Sequence, residues 1–224
     1  MSSLLEINTS VISNGSYREN LAVADKFSPF NNLYQSQLLQ PQLLKDASRL
    51  PEIYDLRLNV WEQSGKNEFV NRKLYPHGWY DHLDKEAFHW VVMNGQNKII
   101  ASARLNIFHS LQEFPYYPSL KDVSFPSPMP FAFFSRLVVV PAYTQKGLSR
   151  QLYNERAHFC AQRGIRWSQV FINNPHIINQ FEKSGFKKIA QANISYHPSS
   201  EAHPVNVFIK ENMNESYFKF GAHF

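Results

Sequence analysis

Apolar positions come in short runs whose period changes along the chain. Over residues 51–63, Ile53, Leu56 and Val60 mark one stripe and Tyr54, Leu58 and Trp61 an adjacent one. That spacing predicts a helix with a wide apolar face, with Pro51 in its first turn and Gly65 at its exit. Residues 88–93 and 99–105 read as two strands joined by Asn94-Gly95, a pair that tolerates positive φ and predicts an antiparallel hairpin. Residues 131–140 are apolar on both faces and read as a central strand. A helix over 147–163 with Gly164 at its end, a strand over 166–172, a helix over 175–184, a strand from Phe186 and a strand over 205–210 follow.

The remaining stretches lack a sustained period. Residues 1–32, rich in Ser and Asn, read as a tail or surface arm ahead of one domain over 33–224, and 34–39 reads as a first strand. Residues 67–85 carry Tyr75, Pro76, Gly78, Trp79 and Tyr80, too aromatic for a solvated linker, and are expected to line a pocket. A Pro-rich loop spans 115–130. Alternating helices and strands with hairpins at both ends predict an α/β (α+β) domain around a mixed sheet.

Composition narrows the class. The 224 residues, 43% hydrophobic and 15% aromatic, suffice for one full core. The chain has no run of eighteen apolar residues, and Met1 to Ser10 lacks the pattern of a secretory signal, so the expectation is a cytoplasmic protein without a membrane partner. One cysteine, Cys160, excludes an internal disulfide and a Cys-rich zinc site. His77 and His82 have no recognised zinc spacing, the phosphate-loop motif of nucleotide hydrolases is missing, and no metal is expected. The net charge of +5 is scattered rather than blocked, which argues against nucleic acid and suits an anionic ligand.

The chemistry concentrates at 137–149, where a buried strand ends at Pro141 and a turn leads into the helix at Gly147, Leu148 and Ser149. The first amides of a helix lack intrahelical acceptors and carry partial positive charge, so a pyrophosphate can dock there. Lys146 and Arg150 add charge pairing. An ordinary strand-turn-helix connection is the competing reading.

These residues resemble the GNAT superfamily. Its Q/R-x-x-G-x-G/A signature stands here as Thr144-Gln145-Lys146-Gly147-Leu148-Ser149. Asn174, followed seven positions later by Phe181-Glu182-Lys183-Ser184-Gly185-Phe186, resembles its N-x6-Y-E-K-x-G-F block. Phe133-Phe134-Ser135-Arg136-Leu137, with Asp81, Asp84 and Arg104, is similar to the acyl-homoserine-lactone synthase and N-acyl amino acid synthase branch, although Phe133 stands where those enzymes carry glutamate.

The resemblance implies a mostly antiparallel sheet of about six to seven strands flanked by helices and splayed between strands 4 and 5. It implies acetyl-CoA or another acyl-CoA as co-substrate, bound by Leu137, Val138 and Val139, by residues Thr144 through Arg150, and by Asn174, Phe181 and Lys183. An amide near Val138 would face the thioester oxygen. The acceptor, a small-molecule or peptide amine, is expected near Arg57, Trp61, Trp79, Tyr80, Arg104 and Ser135. Salt bridging to Asp81 or Asp84 is the other reading of Arg104 and Arg136. Candidate bases are His89, Glu86, His109 and Asp84. Phe181 replaces the usual tyrosine acid, with Tyr143 and Tyr153 as substitutes. A homodimer is allowed. The leading expectation is an N-acyltransferase, most simply an N-acetyltransferase. Its alternatives are a long-chain acyltransferase fed by acyl carrier protein and a catalytically silent acyl-CoA-binding module.

Overall fold

A computed structural model of the chain describes residues 39–65, 70–125, 129–197 and 201–212. The expected arm over 1–32 and all but the last residue of the expected strand over 34–39 lie outside them. The described strands are β1 (Gln42–Leu43), β2 (Phe88–Met93), β3 (Ile99–Phe108), β4 (Phe131–Val139), β5 (Trp167–Ile172), β6 (Lys187–Ile194) and β7 (His203–Glu211). They form one sheet in the order β1-β2-β3-β4-β5-β7-β6. Every neighbouring pair is antiparallel except β4 and β5, which run parallel. The mixed, mostly antiparallel sheet expected from the alternation of elements is therefore present.

Among the described residues three α-helices accompany it: α1 (Leu50–Gln63), α2 (Leu148–Gln162) and α3 (Pro175–Lys183). Leu148, Leu152 and Cys160 of α2 pack with Trp90, Val92, Phe134 and Val170 on one face of the sheet. Ile53 and Leu56 of α1 pack with Val91, Ile99 and Val138 on the other. Because successive strand residues point to opposite faces, Trp90 and Val91 assign the two helices to opposite sides. Phe108, Phe114, Leu120, Phe131 and Phe133 form a further aromatic core under the β3–β4 connection.

Two irregularities matter. The β2–β3 turn is longer than a two-residue hairpin: Asn94 Oδ1 accepts hydrogen bonds from the amides of Gln96 and Lys98, and positive φ falls on Asn97, not on Asn94 or Gly95. In β4, Ser135 pairs with Arg104 and Val138 with Ser102, so Arg136 and Leu137 together face Ala103. This is a β-bulge with Arg136 at φ 53. It changes the parity of the strand, for Phe134, Leu137 and Val139 all lie on the α2 side.

Candidate functional site

The parallel pairing of β4 with β5 runs only from Phe131↔Trp167 to Phe134↔Val170, whereas β4 continues to Val139 and β5 to Ile172. Beyond Phe134 the two strands part. The Val140 amide donates to Ile100 O on the β3 side at 2.9 Å, and Val138 pairs with Ser102. Alternation then turns the N–H groups of Leu137 and Val139 toward the open side, while that of Val138 points to β3.

Where β4 ends, a 3-10 turn over Pro141–Tyr143 leads to the helix. Thr144 Oγ1 donates to Pro141 O at 2.8 Å, closing that turn. Gln145 and Gly147 then take φ values of 63 and 76, and a Cβ added at Gly147 would meet no atom within 4 Å. The loop therefore leaves a clear approach to the amides that open α2. No side chain caps this helix start, and its first amides carry partial positive charge. Lys146, Ser149 and Arg150 are exposed around them, with Lys146 Nζ 5.0 Å from the Tyr143 ring centre. These residues fit an anion at the mouth of the β4–β5 gap.

Beyond β5, Asn174 O accepts from the amides of Ile177 and Ile178 and so starts α3. Lys183 is exposed at the end of that helix. The Phe181 ring packs against Phe186 (4.9 Å) and Tyr153 (5.7 Å). The Tyr153 hydroxyl accepts from Lys210 Nζ at 2.7 Å, and Lys210 pairs with Ser168 near the start of β5, before the strands part.

On the α1 face lies a buried charge cluster. Asp81 and Asp84 cap the same 3-10 turn: Asp81 Oδ1 accepts from the Leu83 amide and Asp84 Oδ2 from the Asp81 amide. This reciprocal capping aims both carboxylates at one spot. Asp84 pairs with Arg57 Nη1 at 2.7 Å and Arg104 Nη1 at 3.1 Å, and Asp81 pairs with Arg104 Nη1 and Arg136 Nη2, each at 2.5 Å. Ser135 Oγ accepts from Arg104 Nε at 2.9 Å. Burial alone would raise Asp81, but Arg136 and Arg104 reverse this and hold its carboxyl well below the ordinary range. Asp84 is lowered in the same way, burial being outweighed by Arg57 and Arg104. Arg57, wholly buried, is pulled down to about 10 by desolvation despite Asp84.

His89 belongs to this cluster. Its Nε2 lies 3.2 Å from Asp84 O and its Nδ1 3.2 Å from Arg57 Nη2. A carbonyl can only accept, so Nε2 carries the proton and Nδ1 accepts from the guanidinium. Burial and the Arg57 charge lower its pKa, in keeping with a neutral ring. Glu86 and His109 are exposed.

The residues expected around the acceptor are brought together here. Trp79 is 5.1 Å from Trp61 and lies beneath the Arg136 guanidinium at 4.0 Å, and Tyr80 is exposed beside Tyr54 at 5.4 Å. Arg57 and Arg104 are fully buried in ion pairs, so these two arginines reach the site through Asp81, Asp84 and Ser135. Sequence reasoning missed Tyr116 and Tyr196, near Arg136, whose hydroxyls burial raises, Tyr196 to about 12. It also missed Arg156, which donates to Leu152 O and Arg104 O from beneath the other face. Its signal is present: Leu148, Leu152, Arg156 and Cys160 form one i, i+4 stripe, all buried.

Among the described residues, no group of three or more His, Cys, Asp or Glu is placed to hold a metal ion, and no helix is long and apolar enough to cross a membrane.

A profile of the acetyltransferase (GNAT) family matches residues 50–186, more than half of the chain. No curated protein matches it by sequence. Among solved structures it is similar to a CoA-dependent acyl-homoserine lactone synthase determined with SAM and isopentyl-CoA (15% identity, TM-score 0.60, covering 81% of this chain and 87% of that one). It is also similar to an N-acyl amino acid synthase from uncultured soil microbes (12%, TM-score 0.55, 77% and 90%). An acetyltransferase of the GNAT family from Staphylococcus aureus aligns at 13% identity and TM-score 0.52, over 77% of this chain and 99% of that one. At these identities the likeness establishes the fold.

Proposed function

The chain belongs to the acetyltransferase (GNAT) family, and from that premise we propose that it moves an acyl group, most simply acetyl, from acyl-CoA to a primary amine of a small molecule or peptide. The observation that carries this reading is the junction of two open backbone segments: the β4 edge at Leu137 and Val139, and the helix start at Gly147 and Leu148. An extended arm and a diphosphate on one ligand would engage both.

The donor supplies an activated carbonyl carbon and a thiolate leaving group. The amides of Gly147, Leu148 and Ser149, with Lys146 and Arg150, hold the diphosphate. The strand edge aligns the arm, and an N–H of Leu137 or Val139 stabilises charge developing on the thioester oxygen. An alkyl amine of pKa near ~10.4 is only about 0.1% neutral at pH 7.4, so its proton must be removed. Both nitrogens of His89 are engaged and Asp84 is held in ion pairs. Of the candidate bases Glu86 and His109 are exposed, but His109 follows Phe108, which pairs with Phe131 at the far end of β4 from the open edge, so a water chain carries the proton away. Phe181 supplies no acid, and a thiolate of pKa near ~8.5 leaves without one.

The rings beside the gap support a short acyl group. Phe133, one rung before the last β4–β5 pair, packs against Phe114 (5.1 Å), Phe171 (5.0 Å) and Tyr116 (5.8 Å). This filled space favours acetyl over the long-chain, carrier-protein-fed alternative. The deciding experiment is thiol release from acetyl-CoA and from tetradecanoyl donors, on coenzyme A and on acyl carrier protein, against a broad amine panel. Consumption of acetyl-CoA is expected. Turnover of tetradecanoyl donors alone would refute the acetyl reading. Thermal stabilisation by coenzyme A without turnover of any donor would leave a silent binding module instead.

A further inference from the structure

Arg136 is the extra residue of the β4 bulge and sits at φ 53, a region that an L-residue with a long side chain enters only when its surroundings hold it there. Its guanidinium is fixed on two sides. Asp81 accepts from Nη2, and Trp79 stacks beneath at 4.0 Å. Asp81 has no freedom to follow Arg136 elsewhere, because it caps its own turn and also binds Arg104. Arg104 lies directly across the ladder from Ser135, and its carbonyl is held from the opposite face by Arg156 at 3.1 Å. The bulge is thus clamped on both sides of the sheet. It begins two residues past Phe134, the last residue of β4 that pairs with β5.

We propose that Asp81 is a positioning residue for donor binding: by holding Arg136 in the left-handed conformation it maintains the bulge, and the bulge keeps the β4 edge at Leu137 and Val139 open. Removing the bulge would restore regular alternation and exchange which residues turn their N–H groups toward β5. β4 would then be free to pair with Phe171 and Ile172, which now lie past the last rung. This inference rests on the reading of that edge as the donor's binding edge.

The test uses the full chain as wild type, Asp81→Asn, Arg136→Gly and the double variant. Coenzyme A affinity is measured by calorimetry, and amide hydrogen exchange at Leu137 and Val139 is measured without ligand. Asp81→Asn is expected to weaken coenzyme A binding about tenfold and to slow exchange at both amides, as an unsupported left-handed arginine reverts to extended backbone. Glycine takes positive φ unaided, so Arg136→Gly should bind within about threefold of wild type, and adding it to Asp81→Asn should restore affinity. A merely structural role for Asp81 predicts no such rescue. Wild-type affinity and exchange in Asp81→Asn, or a double variant no better than Asp81→Asn, would overturn the proposal. Should Asp81→Asn not fold, Arg136→Gly is compared with Arg136→Ala: retention in the first and loss in the second support it, and equal loss overturns it. If the wild-type chain fails to bind coenzyme A, the functional reading falls, while exchange at Leu137 and Val139 still decides whether Asp81 holds the edge open.

Discussion

Gly78→Ala isolates the packing that carries Trp79 and Tyr80 to the site. Gly78 has φ 94, and a Cβ there would lie 2.7 Å from Tyr54 C, 2.8 Å from Tyr54 Cβ and 2.9 Å from Asp55 N. Those atoms belong to the body of α1, so no flexible side-chain end can swing aside. The next residue is tied to the same helix, with the Trp79 amide donating to Tyr54 O at 2.9 Å. The positive φ costs an alanine about 1–2 kcal/mol, and overpacking against fixed backbone adds about 1–3 kcal/mol. Gly147→Ala provides the contrast: its φ is also positive at 76, but its Cβ would meet nothing within 4 Å, so only the first cost applies. Chemical denaturation should therefore show Gly78→Ala destabilised by about 2–5 kcal/mol and Gly147→Ala by about 1–2 kcal/mol. The former corresponds to a Tm drop of about 4–20 °C for a domain of this size. Equal losses in the two variants, or a change below about 0.5 kcal/mol at Gly78, would refute the close approach of loop and helix.

Four further outcomes follow from buried groups. The folded pKa of His89 is depressed by burial and by Arg57, so its contribution to stability is full above the ordinary value of 6.5 and is lost as pH falls below it; denaturation midpoints between pH 7 and 5 should fall more steeply in wild type than in His89→Gln. Asp81 and Asp84, also depressed, add a second loss below about pH 4, which Asp84→Asn should flatten. Arg57→Met leaves Asp84 buried with only Arg104 and should cost about 3 kcal/mol or more, whereas Arg156→Met strands no carboxylate and should stay within about 1 kcal/mol of wild type by equilibrium unfolding. The Cys160 thiol, buried and pushed up to about 12 by desolvation, should react with a thiol reagent only when the chain unfolds; stoichiometric labelling of the native protein within minutes would contradict that burial.

Much of the sheet is legible in local periodicity because each strand's neighbours along the chain already decide which face is buried. The two-sided apolar run at 131–140 becomes the central β4, and the stripes Ile53/Leu56 and Leu148/Leu152 become the inner faces of α1 and α2. The helix-opening glycine is legible too, as a residue at the strand-to-helix turn, and the fold gives it φ 76, which glycine takes without strain. What periodicity could not carry is whatever depends on a long-range partner. Positive φ at Arg136 violates every local preference and exists because Asp81, 55 positions earlier, holds it. The engagement of both nitrogens of His89 likewise depends on Arg57 and on the carbonyl of Asp84. Phe133 reads as a lost carboxylate in the sequence, and in the fold it is one ring of a stack with Phe114, Tyr116 and Phe171.

The placement of charge is hardest to reconcile with stability alone. Three arginines, two aspartates and a histidine are withdrawn from water on the α1 face, and Arg156 lies without a carboxylate on the other, pulled down to about 9 by desolvation. Buried pairs of this kind are often no better than well-packed apolar side chains and cost about 1–4 kcal/mol relative to them. A sheet that needed only to fold would be served by leucines at these positions. The charges converge instead on one short stretch, residues 135–137 of β4 and Arg104 opposite, where the strand must bend away from β5. Apolar contacts lack direction and cannot pin one guanidinium at one backbone angle, whereas a carboxylate fixed by its own capping bonds can. The energetic cost is therefore located where geometry, not stability, is the requirement, and a strand edge left unpaired in the middle of a sheet needs such a fixture to remain open.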